Sequence, residues 1–226
     1  MKKILILGGS SDIGIKLISK LNIEKYILHL HYNTSKNIKG ISKEINKIKI
    51  NLKDISRIEK KFDNDYDIIL NLVGYISKQR FDSFNVNQVF DTLKINSLAM
   101  FKIVNNCVKH MKSNRYGRII NTSSVGVKYG GGRDTFAYSL SKHVNEFIPS
   151  SLRDLSKYNV LYNTVRIGVT NTKIHKNIKN KSIKKRSSVI PVGKFAEPED
   201  IVSLLIYLIE NNNFITNSIL DITGGE

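Results

Sequence analysis

The sequence has one cysteine, three prolines and few acids for its many bases, and it lacks any long apolar run. A single thiol, Cys107, excludes an intramolecular disulfide and suits a reducing, cytoplasmic setting. The scarcity of proline, with no internal repeat and no low-complexity linker, gives no sign of a boundary, so residues 1–226 are expected to form one domain. The longest apolar stretch, Ile201 to Ile209, is too short to span a bilayer and is interrupted by Ser203 and Tyr207. The opening from Met1 to Leu7 imitates a secretory leader, but its apolar part ends after four residues at Gly8-Gly9, and that reading is set aside. With 41% apolar and 24% charged residues, global disorder is not expected.

Acids number 19 against 36 Lys plus Arg, a formal net charge of +17. Such a field attracts nucleic acid, acidic proteins or phosphorylated small molecules. It also follows simply from a composition rich in Lys, Asn and Ile. Basic residues interleaved with aromatics, the mark of nucleic-acid binding, are absent, so no specific nucleic-acid partner is expected.

What is present is an alternation of two kinds of apolar segment. Lys3 to Leu7 is a continuous apolar run ending in glycines, as in a strand buried on both faces. Ile13, Leu17, Ile18 and Leu21 follow at helical spacing. Further strands are expected at Tyr26 to His31, Ile48 to Leu52, Asp67 to Val73, Arg118 to Ser123, Val160 to Ile167 and Ser218 to Ile222. Helices are expected at Val86 to Lys112 (one or two), Tyr138 to Leu155 and Pro198 to Glu210, with a truncated one between the second and third strands. This order predicts an α/β fold: one Rossmann-type, doubly wound parallel sheet of about seven strands with helices on both faces.

The first strand runs into Gly8-Gly9-Ser10-Ser11-Asp12-Ile13-Gly14 and then a helix. Glycines there let the backbone turn tightly and approach a pyrophosphate, which a helix N-terminus favours. A dinucleotide site that prefers NAD usually carries an acid at the end of the second strand. Here that region reads His29-Leu30-His31-Tyr32-Asn33-Thr34-Ser35-Lys36, without an acid, and Thr34, Ser35 and Lys36 can bond a 2′-phosphate. NADP(H) is therefore favoured over NAD(H). His29 and His31 share a strand face, but a bare His-x-His without further ligands is more often structural, and no metal is expected.

The sharpest local signal is Tyr138-Ser139-Leu140-Ser141-Lys142. Residues four apart lie on one helix face, so Tyr138 and Lys142 are neighbours. A nearby ammonium stabilises a phenolate and suits the tyrosine to proton transfer. Ser123-Ser124 ends the preceding strand, where a hydroxyl can polarise a carbonyl held opposite the tyrosine.

Together these residues resemble the short-chain dehydrogenase/reductase family along essentially the whole chain. Gly8 to Gly14 resembles its glycine-rich turn, Asn71-Leu72-Val73-Gly74 its fourth-strand motif, and Asn96 its helix-borne asparagine. Asn121-Thr122-Ser123-Ser124 resembles the strand carrying its serine, and Val165 to Thr172 the segment after its sixth strand. Ile190 to Phe195 and Gly224-Gly225 also fit. The resemblance implies that Asn96, Ser124, Tyr138 and Lys142 are catalytic. Tyr138 would donate the proton to a reduced carbonyl, Lys142 would lower its pKa and hold the nicotinamide ribose, and Ser124 would bond the substrate oxygen. Asn96 would hold a water in the relay. The dinucleotide would lie against Gly8, Ser10, Ser11, Asp12, Ile13 and Gly14, then Tyr32, Asn33 and Thr34, and Asn51 and Leu52. Asn71, Val73, Gly74, Tyr138, Lys142, Gly168, Thr170 and Thr172 complete that set. Departures from the family pattern include Asp12 for the middle glycine, Asn51 for Asp and Ile167 for Pro. The interval from Ser124 to Tyr138 is one residue longer, which leaves Ser123 as an alternative carbonyl-binding hydroxyl.

Residues 173–190 occupy, by resemblance, the lid over the substrate, and Lys173 to Arg186 holds seven basic residues and no acid. A basic lid favours an anionic ligand or an acidic carrier. Arg115 matches a position that 3-oxoacyl-acyl-carrier-protein reductases of the family use to dock their acidic partner; the second such arginine falls on Tyr158. The function implied is that of an NADPH-dependent ketoreductase similar to those enzymes. The alternatives are a reductase of a sugar or other polar metabolite in cell-surface polysaccharide synthesis, and a non-catalytic nucleotide sensor. A homodimer or homotetramer, assembled through the Asn96–Lys112 and Tyr138–Leu155 helices and the last strand, is implied as well.

Overall fold

The computed structural model describes residues 1–34, 45–173 and 185–226. Its centre is a seven-stranded, fully parallel sheet in the order β3-β2-β1-β4-β5-β6-β7. The strands are β1 (Lys2–Leu7), β2 (Tyr26–Tyr32), β3 (Asn46–Lys49), β4 (Ile68–Asn71), β5 (Gly117–Ser124), β6 (Val160–Ile167) and β7 (Ser218–Ile222). Helices α1 (Asp12–Lys20) and α7 (Pro198–Ile206) cover one face. The other carries α2 (Ile58–Lys61), α4 (Ala99–Ser113), which α3 (Val86–Leu93) leads into through a π turn, and α6 (Ser150–Arg153). Helix α5 (Phe136–Val144) packs on α3 and β5.

Alternation along each strand divides the core between the faces. Leu5, Leu7, Ile69 and Ile119 pack with Ile103, Cys107 and Met111 of α4, while Ile4, Ile6, Leu70 and Ile120 pack with Leu17, Ile201 and Leu205. A strand buried on both faces needs apolar residues at every position, which is why these segments read as unbroken runs.

Several bounds differ from the sequence reading by a residue or two, and two differences matter most. β3 is Asn46–Lys49, earlier than the expected Ile48 to Leu52, although Ile50 and Leu52 remain buried as core. The helix expected from Tyr138 to Leu155 stops at Val144 and resumes only at Ser150. Pro149 is the reason: it bonds no preceding turn and drives Ile148 away from helical geometry. The truncated helix expected after β2, with Ser35 and Lys36, and residues 174–184 of the expected lid lie outside the described residues. No helix among those described is long and apolar enough to cross a membrane.

His31 ties the first turn to the sheet. Its Nδ1 accepts the Gly8 N–H at 3.1 Å and its Nε2 lies 3.0 Å from the Ile50 carbonyl, which fixes the proton on Nε2. His29 is likewise engaged, with Tyr66 at 2.8 Å and Asn46 at 3.3 Å. Burial holds the His31 imidazole down at about 4. An unfolded histidine titrates near 6.5, so between the two values the unfolded chain binds the extra proton. The stability present above pH 6.5 is therefore lost as pH falls towards 4, by up to about 3 kcal/mol from this residue. His29, also lowered by burial, acts in the same sense. Urea titrations at pH 7 and pH 4.5 should show a loss of stability in the native chain that is clearly smaller in His31→Asn. An equal loss in the variant would contradict this assignment.

Candidate active site

The turn after β1 approaches β2 and β4 closely. Gly8 has φ +69°, and a Cβ on it would lie 2.9 Å from the Leu72 backbone. Gly14, inside the first turn of α1, would place a Cβ 2.5 Å from the Gly9 carbonyl oxygen, so only glycine lets the helix sit this near the turn. Ser11 caps α1 by accepting the Gly14 N–H at 3.1 Å. Asp12, the acid where a glycine was expected, is held by Lys173: its carboxylate accepts the Lys173 N–H at 2.7 Å and pairs with Nζ at 3.3 Å. This pair offsets the charge that would otherwise repel phosphates at the helix N-terminus.

Beneath the site lies a buried network of asparagines. Asn71 Nδ2 donates to Asn121 Oδ1 at 2.9 Å and to the Asn96 carbonyl at 3.1 Å. Asn145 Nδ2 donates to the carbonyls of Thr122 at 2.9 Å and Asn96 at 3.2 Å. Asn96 sits in the π turn Lys94–Leu98 between α3 and α4. Its amide donates to the Tyr75 carbonyl and to Ser141 Oγ, and its oxygen accepts the Tyr75 N–H. Both amide protons of Asn96 are thus spent inside the protein, so its side chain fixes Tyr75 and α5 rather than offering a donor to a relay water. Asn145 was not named in the sequence reading and Asn121 only as part of the strand that carries the serines; their shared burial with Asn71 and Asn96 reveals the network.

Lys142 is 3% exposed, and its Nζ donates to the Val73 carbonyl at 2.8 Å, the Thr122 carbonyl at 3.0 Å and Thr122 Oγ1 at 3.3 Å. Burial draws this ammonium down to about 7. The Tyr138 ring centre is 5.9 Å from Nζ. Burial raises the Tyr138 phenol above its ordinary range, and a hydrogen bond with Ser124 offsets only part of that. In the resting site burial therefore outweighs the lowering of Tyr138 by Lys142 that the spacing implied, and the ammonium spends its donors on Val73 and Thr122 rather than on the phenol.

Strand alternation separates the two serines. Ser124 faces Tyr138, whereas Ser123 Oγ turns the other way, to the Lys142 carbonyl at 3.0 Å and Glu146 Oε1 at 2.7 Å. Glu146 is clasped by Arg166 at 2.7 and 2.8 Å. Ser123 is therefore not free to bind a carbonyl from the cavity side.

These groups meet in a cavity of about 480 Å³ at the C-terminal edge of the sheet, where such folds bind ligands. Of the residues expected at a dinucleotide, Ser11, Asp12, Ile13, Val73, Gly74, Tyr138, Lys142, Gly168, Thr170 and Thr172 line it. Gly8, Ser10 and Gly14 shape the turn behind Ser11. Asn71 belongs to the asparagine network, and Leu52 is core at 2% exposure. Tyr32, Asn33, Thr34 and Asn51 lie outside the cavity wall, after the C-terminal ends of β2 and β3 or at them. The left-handed turn, the capped helix N-terminus and a cavity reaching from there to Tyr138 fit a dinucleotide. The sequence reading missed Thr122, Tyr129 and Ser139, which also line the wall.

A family model described as enoyl-(acyl carrier protein) reductase matches residues 51–226. The 3-oxoacyl-[acyl-carrier-protein] reductase FabG of Aquifex aeolicus is 27% identical over 98% of this chain and 95% of its own length. A 3-oxoacyl (acyl-carrier-protein) reductase from Agrobacterium tumefaciens C58, solved with NADP bound, superposes with a TM-score of 0.86 at 19% identity, over 100% of this chain and 94% of that one. A 3-oxoacyl-[acyl-carrier protein] reductase of Brucella melitensis with bound NAD gives 0.82 at 17%, over 99% and 90%.

Lys142 makes one physical consequence measurable. Its ammonium titrates at about 7 in the fold but near 10.4 in an unfolded chain. From pH 7 upward the unfolded chain binds more protons, so stability should rise between pH 7 and 8.5 by about 1 kcal/mol per pH unit. Denaturant titrations without added dinucleotide should show that rise in the native chain and its loss in Lys142→Met. A rise that survives the substitution would contradict the burial cost assigned to Lys142.

Proposed function

The chain belongs to the short-chain dehydrogenase/reductase family, oxidoreductases acting on CH–OH and C=O groups, and from that premise we propose that it is an NADPH-dependent reductase of 3-oxoacyl groups delivered on an acidic carrier protein. The convergence of Ser124, Tyr138 and Lys142 on one cavity that begins at the α1 N-terminus carries this reading. The dinucleotide, when bound, supplies the hydride to the carbonyl carbon. Ser124 Oγ and the Tyr138 phenol both bond the carbonyl oxygen, which orients it and draws electron density from the carbon. Because burial keeps the phenol protonated near neutrality, Tyr138 is a proton donor in the reductive direction. The charge left on Tyr138 after transfer is stabilised by Lys142. Asn96, Asn71 and Asn145 hold Thr122, Tyr75 and α5 so that these groups do not drift.

The absence of an acid at Tyr32-Asn33-Thr34, beyond β2, supports NADPH, whose 2′-phosphate a carboxylate there would repel. A cationic patch supports an acidic carrier. Lys112, Arg115 and Lys157 surround the Tyr158 ring at 4.9, 5.7 and 5.6 Å, and all three are exposed. The patch sits before Gly117 at the start of β5, and Ser124 ends the same strand, roughly 23 Å away at about 3.3 Å per residue. Leu98, Leu140, Phe147 and Ile219 are exposed on or beside the elements through which a homodimer or homotetramer is expected. A second reading, reduction of a small polar carbonyl compound free of any carrier, is favoured by the presence of Arg186 in the cavity wall.

Tyr138→Phe should lower kcat/KM for carbonyl reduction by roughly 10²- to 10⁴-fold while NADPH binding, read by fluorescence, is retained. Turnover that persists would remove Tyr138 from the chemistry. Reversing the patch with Lys112→Glu, Arg115→Glu and Lys157→Glu together should raise KM for a carrier-bound 3-oxoacyl thioester at least about tenfold, as loss of charge steering does, and leave a carrier-free thioester unchanged. An equal effect on both substrates would rule the patch out as a docking surface.

A further inference from the structure

Arg186 is the one arginine in the cavity wall, and it belongs to no part of the machinery above. Its Nη2 donates to Glu226 Oε2 at 2.9 Å, and the Glu226 side chain is only 5% exposed. Its Nη1 is buried with no hydrogen-bond partner among the described residues. A guanidinium is never neutral in a protein, and a buried N–H without an acceptor weakens a fold, so such a group marks a place where an acceptor is meant to arrive. The position is fixed from outside the cavity. The Glu226 carbonyl accepts from Lys128, which lies in the turn Val125–Tyr129 directly after Ser124. Glu226 therefore anchors Arg186 to the turn that leaves the carbonyl-binding serine, at the substrate end of the cavity and away from the α1 N-terminus.

The charge of the wall agrees. Among the described residues the one acid of the wall, Asp12, is already paired with Lys173, which also lines the cavity, so Lys142 and Arg186, the latter ion-paired with Glu226 at 2.6 Å, face no other carboxylate there. We propose that Arg186 is an anion-binding subsite that receives an acidic group, carboxylate or phosphate, carried by the carbonyl substrate itself. Both Glu226 carboxylate oxygens meet Nη2, at 2.6 and 2.9 Å, which leaves Nη1 to donate to an oxygen of either group. This rests on the carrier-free form of the carbonyl-reductase reading, since a 3-oxoacyl thioester has no acid near its ketone, and it assigns the substrate a negative charge within a few bonds of the reacting carbon.

The test uses two matched pairs of carbonyl compounds, acetoacetate with its methyl ester and dihydroxyacetone phosphate with dihydroxyacetone. Each is titrated by calorimetry into protein saturated with NADP⁺. At least one anionic member should bind about tenfold or more tightly than its neutral partner, and which pair shows the difference tells carboxylate from phosphate. In Arg186→Leu and in Arg186→Gln the preference should fall to within about threefold. Equal binding of both members of both pairs to the native protein overturns the proposal without any variant, as does a preference that survives the substitutions. NADPH oxidation by the native protein and by Tyr138→Phe separates the two claims. Anion preference without turnover leaves the subsite standing and removes the reductase reading, and turnover without anion preference does the reverse.

Discussion

A buried ammonium with no carboxylate beside it organises this site. Lys142 reaches from α5 to the Val73 carbonyl beyond β4 and to Thr122 on β5, so three elements are held at one nitrogen. Burying such a charge costs stability unless every proton is accepted, and here the acceptors are backbone carbonyls and a hydroxyl fixed by neighbouring strands. The asparagine network does the fixing: Asn145 bonds the same Thr122 carbonyl, and Asn71 bonds Asn121 beside it. Tyr138 follows from that arrangement, since its place one helical turn before Lys142 sets it against Ser124. The contacts of Lys142 tie together the C-terminal ends of β4 and β5, beside which the cavity lies.

The net charge of +17 looks less uniform once the partners are known. Asp12 is matched by Lys173, Glu146 by Arg166, and Asp221 by both Arg166 and Lys128. Acids are few, and of these only Asp12 lines the cavity. Among the described residues the cations around Tyr158 have no acidic partner, and Arg186, paired with Glu226 through Nη2, has Nη1 left over. Positive charge without an acidic partner is thus found at the patch proposed for an acidic carrier as well as along much of the solvated lysine surface.

Much of the fold was legible in the residues because a strand buried on both faces demands an unbroken apolar run. Val160 to Ile167 and Ser218 to Ile222 have the bounds read from the sequence. Helix periodicity misled after Val144, since apolar spacing continues towards Leu155 while Pro149 breaks the backbone. The Tyr138–Lys142 pair was legible because helical spacing is local. What each side chain bonds was not, because Lys142 finds Val73 69 positions away and Asn96 finds Ser141 45 positions away. The choice between Ser123 and Ser124 likewise needed the strand's pleat, which sends neighbours to opposite faces. Arg186 was legible only as one base among seven, and its partner Glu226 lies 40 residues further on.

The central claim is that the resting site keeps Tyr138 protonated, as a donor to a carbonyl, with Lys142 occupied by the protein rather than by the phenol. Tyrosinate absorbance near 295 nm, titrated with pH in the native chain and in Tyr138→Phe without dinucleotide, reads that state directly. The account predicts that the difference between the two proteins shows no ionisation below the ordinary tyrosine value of 10. A difference signal rising between pH 7 and 8 would contradict it and return Lys142 to the role of lowering the phenol's pKa.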